Sequence, residues 1–221
     1  MEQQTNQFPV ELSSQLVTIM TTEHLNLQSA RAMAIAEANG RASLFVGAVS
    51  SALVALALVG QISHLGTAFF VFSLVVLPTL LLMGLITFER TLQGASVNLI
   101  YASGLNRIRH LYVEYAPQMQ PYFILSTHDD REGIVGQEGM HTSWWQIFFN
   151  TAAMIAVINS VLVGSFMGLL CAVFSLPLWF STSMGVVTFL LSGTLHQGYQ
   201  WRQLLHRERH LPALFPSQPG S

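Results

Sequence analysis

The sequence predicts an all-α, polytopic membrane protein with four transmembrane helices arranged as two hairpins, joined to cytoplasmic amphipathic helices. Three observations carry that reading. Of 221 residues, 51% are hydrophobic and only 9% are charged, against roughly 25% charged in soluble domains. The charges are also segregated. No Asp, Glu, Lys or Arg interrupts the 47 residues between Arg41 and Glu89, or the 63 between Glu138 and Arg202. A spanning helix needs about 20 apolar residues, so each gap holds two spans and a turn. Finally, all nine basic residues are Arg, and they fall in three segments that alternate with the gaps.

The elements follow in order. Residues 1–41 form a tail and an amphipathic helix. Leu12, Leu16 and Ile19 share one face, and Met20, Leu27 and Ala34 recur seven apart. Asn39-Gly40 is where a kink or a break is expected, since both residues weaken a helix. Residues 42–88 are the first transmembrane hairpin: a span from Ala42 to Gly60, a turn at "QISHLG", and a span from Ala68 to Phe88 with a proline kink near Ser73 to Pro78. Residues 89–142 are a helix to about Tyr115, a break at Pro117 and Pro121, and a loop. Residues 143–196 are the second hairpin. Trp144-Trp145 open its first span, which runs to about Leu169; the next ends near Leu195, flanked by Tyr199 and Trp201 as an aromatic belt. Residues 197–221 are a tail ending in "FPSQPGS".

Arg31 and Arg41 precede the first gap, Arg90, Arg107, Arg109 and Arg131 lie between the gaps, and Arg202, Arg207 and Arg209 follow the second. The positive-inside rule then places both termini and the central connection in the cytoplasm of a multi-pass inner (plasma) membrane protein. The opening "MEQQTNQFPVELSSQ" has no basic segment leading into an apolar run, so no cleaved signal peptide is expected.

Two heptamers, "LNRIRHL" (105–111) and "LHRERHL" (205–211), agree at five positions. Other matches run in the same order. "ALVALALVGQ" (52–61) lies against "AVINSVLVGS" (156–165), "VFSL" recurs at 71 and 173, and Met83-Gly84 with Thr87-Phe88 recurs as Met184-Gly185 with Thr188-Phe189. The offsets of 100 to 104 residues predict a parallel duplication of one hairpin plus its cytoplasmic exit.

Small residues four apart, Ser43, Gly47, Ser51 and Ala55 in the first span and Ala152, Ala156, Ser160, Gly164 and Gly168 in the third, predict a helix-packing seam within the chain or between subunits. A homo-oligomer is expected. Asn159, near mid-span, is read as an interhelical hydrogen-bonding group, with pore lining as the other reading. Arg107, Arg109, His110, Arg207, Arg209 and His210 form a candidate surface for anionic lipid or for docking on the N-terminal helix, with Glu23 or Glu37 as partners.

The same composition argues against several functions. No ionisable residue lies at hydrocarbon depth, unlike proton-coupled carriers. Nine Arg against eleven acids leave no nucleic-acid surface. Cys171 is alone, which excludes an intramolecular disulfide framework and a cysteine-based metal site and counts against thiol oxidoreductases that need cysteine pairs. His128, Asp129, Asp130, Glu132, Glu138 and His141 are metal-compatible types, but their spacing matches no metal loop, so the segment reads as a solvated loop. No nucleophile–base pair is evident. The expectation is no enzyme, no metal and no cofactor.

The runs "LQSARAMAIAEANGRASLFVGAVSSALVALALVGQ" (27–61), "FVFSLVVLPTLLLMGLITFERTLQ" (70–93) and "NRIRHLYVEYAP" (106–117) resemble a family of uncharacterised bacterial four-span integral membrane proteins. The layout of helix, hairpin and cytoplasmic helix is also similar to SLATT-type membrane modules, a resemblance that implies a pore. The expected function is an oligomeric, channel- or pore-like protein gated by its cytoplasmic helices. The alternative is a non-conducting scaffold or signalling adaptor that presents those helices to a cytosolic partner.

Overall fold

The structure, a computed structural model, describes residues 14–135, 150–208 and 213–217. In order these form α1 (Ser14–Ile62), α2 (Thr67–Tyr115), a 3-10 turn (Pro117–Tyr122), α3 (Arg131–Val135), α4 (Thr151–Val173) and α5 (Leu178–Glu208). No strand occurs among the described residues. Four helices, α1, α2, α4 and α5, are long and apolar enough to cross a membrane. Trp144-Trp145 lie outside the described residues.

α1 packs along α2, α2 along α4, and α4 along α5, while α1 barely meets α4 and α2 barely meets α5. The inner pair α2 and α4 therefore carries the core. Phe45 and Ile155 are fully buried there, among Val49, Leu77, Leu80 and Phe88. Hydroxyls in these apolar stretches donate back to the carbonyl four residues earlier, as Ser51 does to Gly47, Ser73 to Phe69 and Thr87 to Met83. That bond spares them an unpaired donor in apolar surroundings.

No break occurs at Asn39-Gly40, through which α1 runs on as one helix. A glycine costs a helix about 1 kcal/mol, and two neighbours act against it. Arg41 donates to Glu37 through Nε at 3.0 Å and Nη2 at 2.7 Å, clasping the turn that contains Gly40. Ala38 packs over Gly94 of α2. α5 extends beyond the span predicted to end near Leu195, as far as Glu208. α2 is helical straight through Pro78.

The duplication does not align with the helices. α1 ends at Ile62 and α4 at Val173, while α2 begins at Thr67 and α5 at Leu178, so matching the two turns needs an offset of 111 residues. The sequence matches require 100 to 104. "VFSL" at 71–74 is inside α2, whereas "VFSL" at 173–176 is the end of α4 and the following turn. That discrepancy exceeds the one or two residues by which helix ends are uncertain. The matched segments therefore do not share placement in their helices.

Candidate functional site

The predicted small-residue seam splits in two. Ala152, Ala156, Ser160 and Gly164 are buried and Gly168 half-buried on α4. Ala152 and Ala156 belong to the core with α1 and α2, while the row from Ser160 on meets α5: a Cβ on Gly164 would stand 2.7 Å from the Gly185 carbonyl oxygen, and a Cβ on Gly185 would stand 2.9 Å from that of Gly164. Only glycine at both positions allows this approach. On α1, by contrast, Ser43, Gly47 and Ser51 are exposed, Ala55 is half-buried, and nothing lies within 4 Å of a Cβ on Gly47. Among the described residues no element packs on the α1 half, so it forms no seam within the described chain.

Asn159 is fully buried, yet neither its Oδ1 nor its Nδ2 has a partner, so the expected interhelical hydrogen bond is absent. Gly84 of α2 makes room for it: a Cβ there would lie 1.8 Å from Asn159 Oδ1 and 2.7 Å from Phe45. One residue on, Ser160 Oγ meets Ser192 Oγ of α5 at 3.2 Å. Ser192 in turn faces His196, whose Nδ1 lies 3.3 Å from its hydroxyl and 2.8 Å from its carbonyl oxygen. The carbonyl can only accept, so Nδ1 carries the proton and cannot take one from Ser192. The pair is therefore not a nucleophile with its base. Ser192, His196 and Gln200 recur four apart on α5, a polar stripe that sequence reasoning missed although its spacing was visible.

The polar halves of α1 (14–41) and α2 (89–115) form a two-helix stalk. Arg31 Nε donates to Asn98 Oδ1 at 2.7 Å, Leu27 packs on Gly104, and the His24 and Tyr112 rings lie 6.3 Å apart. Arg109 is buried in α2, and its Nη1 donates to Asn106 Oδ1 at 2.5 Å. Burial and the Arg31 charge push the Arg109 pKa down. Burial, then the Arg109 charge, does the same to His24.

At the far end of the stalk, three parts of the chain form a latch. Asn106 Nδ2 donates to the His128 carbonyl at 2.6 Å, and Arg107 Nε to Asp129 Oδ2 at 2.6 Å. The same carboxylate accepts the backbone N–H groups of Leu214 at 3.0 Å and Phe215 at 2.8 Å. Asp129 N–H returns a bond to the Phe215 carbonyl at 3.3 Å. The Phe215 ring stacks on His110 at 3.9 Å, and Ser217 bonds to Asp130 through both its N–H and its hydroxyl. Burial raises the Asp129 pKa, but the two amides and Arg107 outweigh it and hold the carboxyl below its ordinary value. Asp130 is also held low: burial opposes, while Ser217, the Gly133 N–H and the His128 charge prevail.

This geometry bears on three expectations. Arg107 and His110 meet the protein's own loop and tail, Arg109 bonds to Asn106 within α2, and Glu37 pairs with Arg41. The 126–135 region is a built contact with Asp129 only 4% exposed, where a solvated loop was expected. The segment read as a tail is docked at Phe215 and Ser217. Arg207 lies in α5, while Arg209, His210, Glu138 and His141 lie outside the described residues. Among the described residues no three His, Cys, Asp or Glu side chains gather where a metal could be held.

No family model matches the chain, and no curated protein and no solved structure is similar to it.

Proposed function

We propose that the chain is a four-span integral protein of the inner membrane, built of two hairpins with both termini cytoplasmic, and that it acts as a non-conducting scaffold or signalling adaptor. Its working part is the latched stalk, displayed to a cytosolic partner. The length of α1 and α2 carries this reading. Each has 49 residues and so extends about 74 Å, more than twice the roughly 30 Å hydrocarbon core of a bilayer. The excess is the polar, arginine-bearing half, continuous with the span and held at its end by Asp129. In the stalk-side half of the spans the interior is filled by Phe45, Ile155 and Asn159, each 0% exposed, which favours an anchor over a conduit in a single copy.

The outward stripe of Ser43, Gly47 and Ser51 supports a second reading, an oligomeric pore lined by α1 from several copies. Reconstitution in liposomes separates the two. The adaptor reading expects no ion or dye flux above protein-free vesicles across pH and voltage. Steady, protein-dependent flux that Gly47→Leu abolishes would replace it with the pore. Photo-crosslinkers on exposed stalk positions such as Gln28 then test the adaptor directly: one recurring cytosolic adduct, lost in Asp129→Ala, is expected.

A further inference from the structure

We propose that the junction between stalk and spans holds a binding site for a small uncharged molecule with an amide-like edge, a donor beside an acceptor, on an apolar body. A cavity of about 280 Å³ lies there, walled by all four long helices, at the lower end of the range for small-molecule sites. Its polar lining is unusual in kind. Five carboxamides, Asn39, Asn98, Asn150, Gln200 and Gln203, come from α1, α2, the α4 cap and α5, and among the described residues no Asp, Glu, Lys or Arg lines it.

The hydrogen bonds already made fix what remains to offer. Asn98 Oδ1 is taken by Arg31, and Asn150 Oδ1 by the Ala153 N–H. Their Nδ2 donors make no bond among the described residues. Gln203 uses its Nε2 on Tyr199 Oη, which leaves its Oε1 as an acceptor. Gln200 is 6% exposed and its Oε1 has no partner. Donors thus come from the α2 and α4 walls and acceptors from α5. A buried amide without a partner is costly to keep, and a ligand edge carrying both a donor and an acceptor satisfies Gln200 in either orientation of its carboxamide.

Charge and shape narrow the class. An ionised ligand would lose its hydration and meet no counter-charge in this lining. Leu92, Leu99 and several alanines supply an apolar floor. Cyclic amides, ureas and nucleobase-like rings have the required combination. Because the cavity joins α1 and α2 to α4 and α5, occupancy would brace the stalk against the second helix pair.

The test uses the detergent-purified full chain and isothermal titration. Benzamide, 2-pyridone and uracil probe the proposed class, benzoate and benzylamine its charged counterparts, and toluene the apolar floor alone. Saturable binding by at least one neutral amide is expected, with none for the charged probes and at least tenfold weaker binding by toluene. Gln200→Leu should weaken the amide at least tenfold. Asn150→Ser keeps a residue able to cap α4 while removing the amide donors, so it should weaken binding severalfold; it decides the matter if the first variant fails to fold. Absence of saturable amide binding, equal binding of toluene, or unchanged affinity in a folded Gln200→Leu or Asn150→Ser protein would each overturn the proposal.

Discussion

The α1–α2 pair and the α4–α5 pair pack by opposite means. The first is joined by large side chains: Phe45 and Val49 of α1 are buried with Leu77 and Leu80 of α2, and the polar halves add Arg31 on Asn98. The second brings backbones together at Gly164 and Gly185. A row of small residues is thus a seam only where the partner is equally small. α4 meets that condition and α1 does not, although their sequence patterns are alike.

Enlarging the glycines separates the two cases most sharply. Gly164→Leu drives a side chain into the Gly185 carbonyl oxygen, a backbone atom that moves only if the helices part. Loss of about 3 kcal/mol or more is expected, measured as the unfolding midpoint in detergent. Gly84→Leu should cost as much, since it displaces both Asn159 and Phe45. Gly47→Leu should change monomer stability by less than about 0.5 kcal/mol. An equal loss at Gly47 and Gly164 would break the comparison.

The latch comes next in size. Asp129→Ala leaves two backbone N–H groups and Arg107 without their acceptor, a local cost of about 1–3 kcal/mol. Faster proteolysis after residue 212, with the spans unchanged, is the expected readout. Acid should act on the same bond. Asp129 is held below its ordinary 3.8, so its contribution is full above that value and disappears as pH falls through the lowered one. The stalk responds in a higher window. His24 is held below 6.5 by burial and Arg109, so the folded stalk disfavours its proton, and stability falls as pH drops from about 6.5 toward the lowered value. Titration of the His24 ring by NMR checks the direction. A His24 pKa above 6.5 would contradict its burial beside the Arg109 charge.

The smallest effect is at Asn159. Replacing an unpartnered buried amide with a similarly sized apolar group costs no hydrogen bond. Asn159→Leu should be neutral or stabilising by about 1 kcal/mol in the unfolding midpoint. A loss above about 2 kcal/mol would mean the amide has a partner after all.

The four long helices were legible because exclusion of charge is a local property of sequence, readable between Arg41 and Glu89 without knowing what packs where. The continuity at Asn39-Gly40 was not, since it depends on Glu37 gripping Arg41 and on Ala38 meeting Gly94 from another helix. The facing of the seam was equally hidden, because composition says that Gly47 and Gly164 are small but not which neighbour they meet. Asp129 looked like a loop carboxylate, and its partners are Arg107, 22 residues before it, and Phe215, 86 after it. The stripe of Ser192, His196 and Gln200 was readable in principle, as polar residues at helical spacing in an apolar segment.

A nitroxide scan along residues 14–62 in liposomes tests the central claim most directly, that one unbroken helix passes from the membrane into water as the stalk. The account predicts a single 3.6-residue period across the whole range, uninterrupted at 39–40, with side chains switching from water-exposed to oxygen-exposed near Arg41. A phase break at Asn39-Gly40, or lipid exposure of residues 14–35 on the face turned from α2, would contradict it.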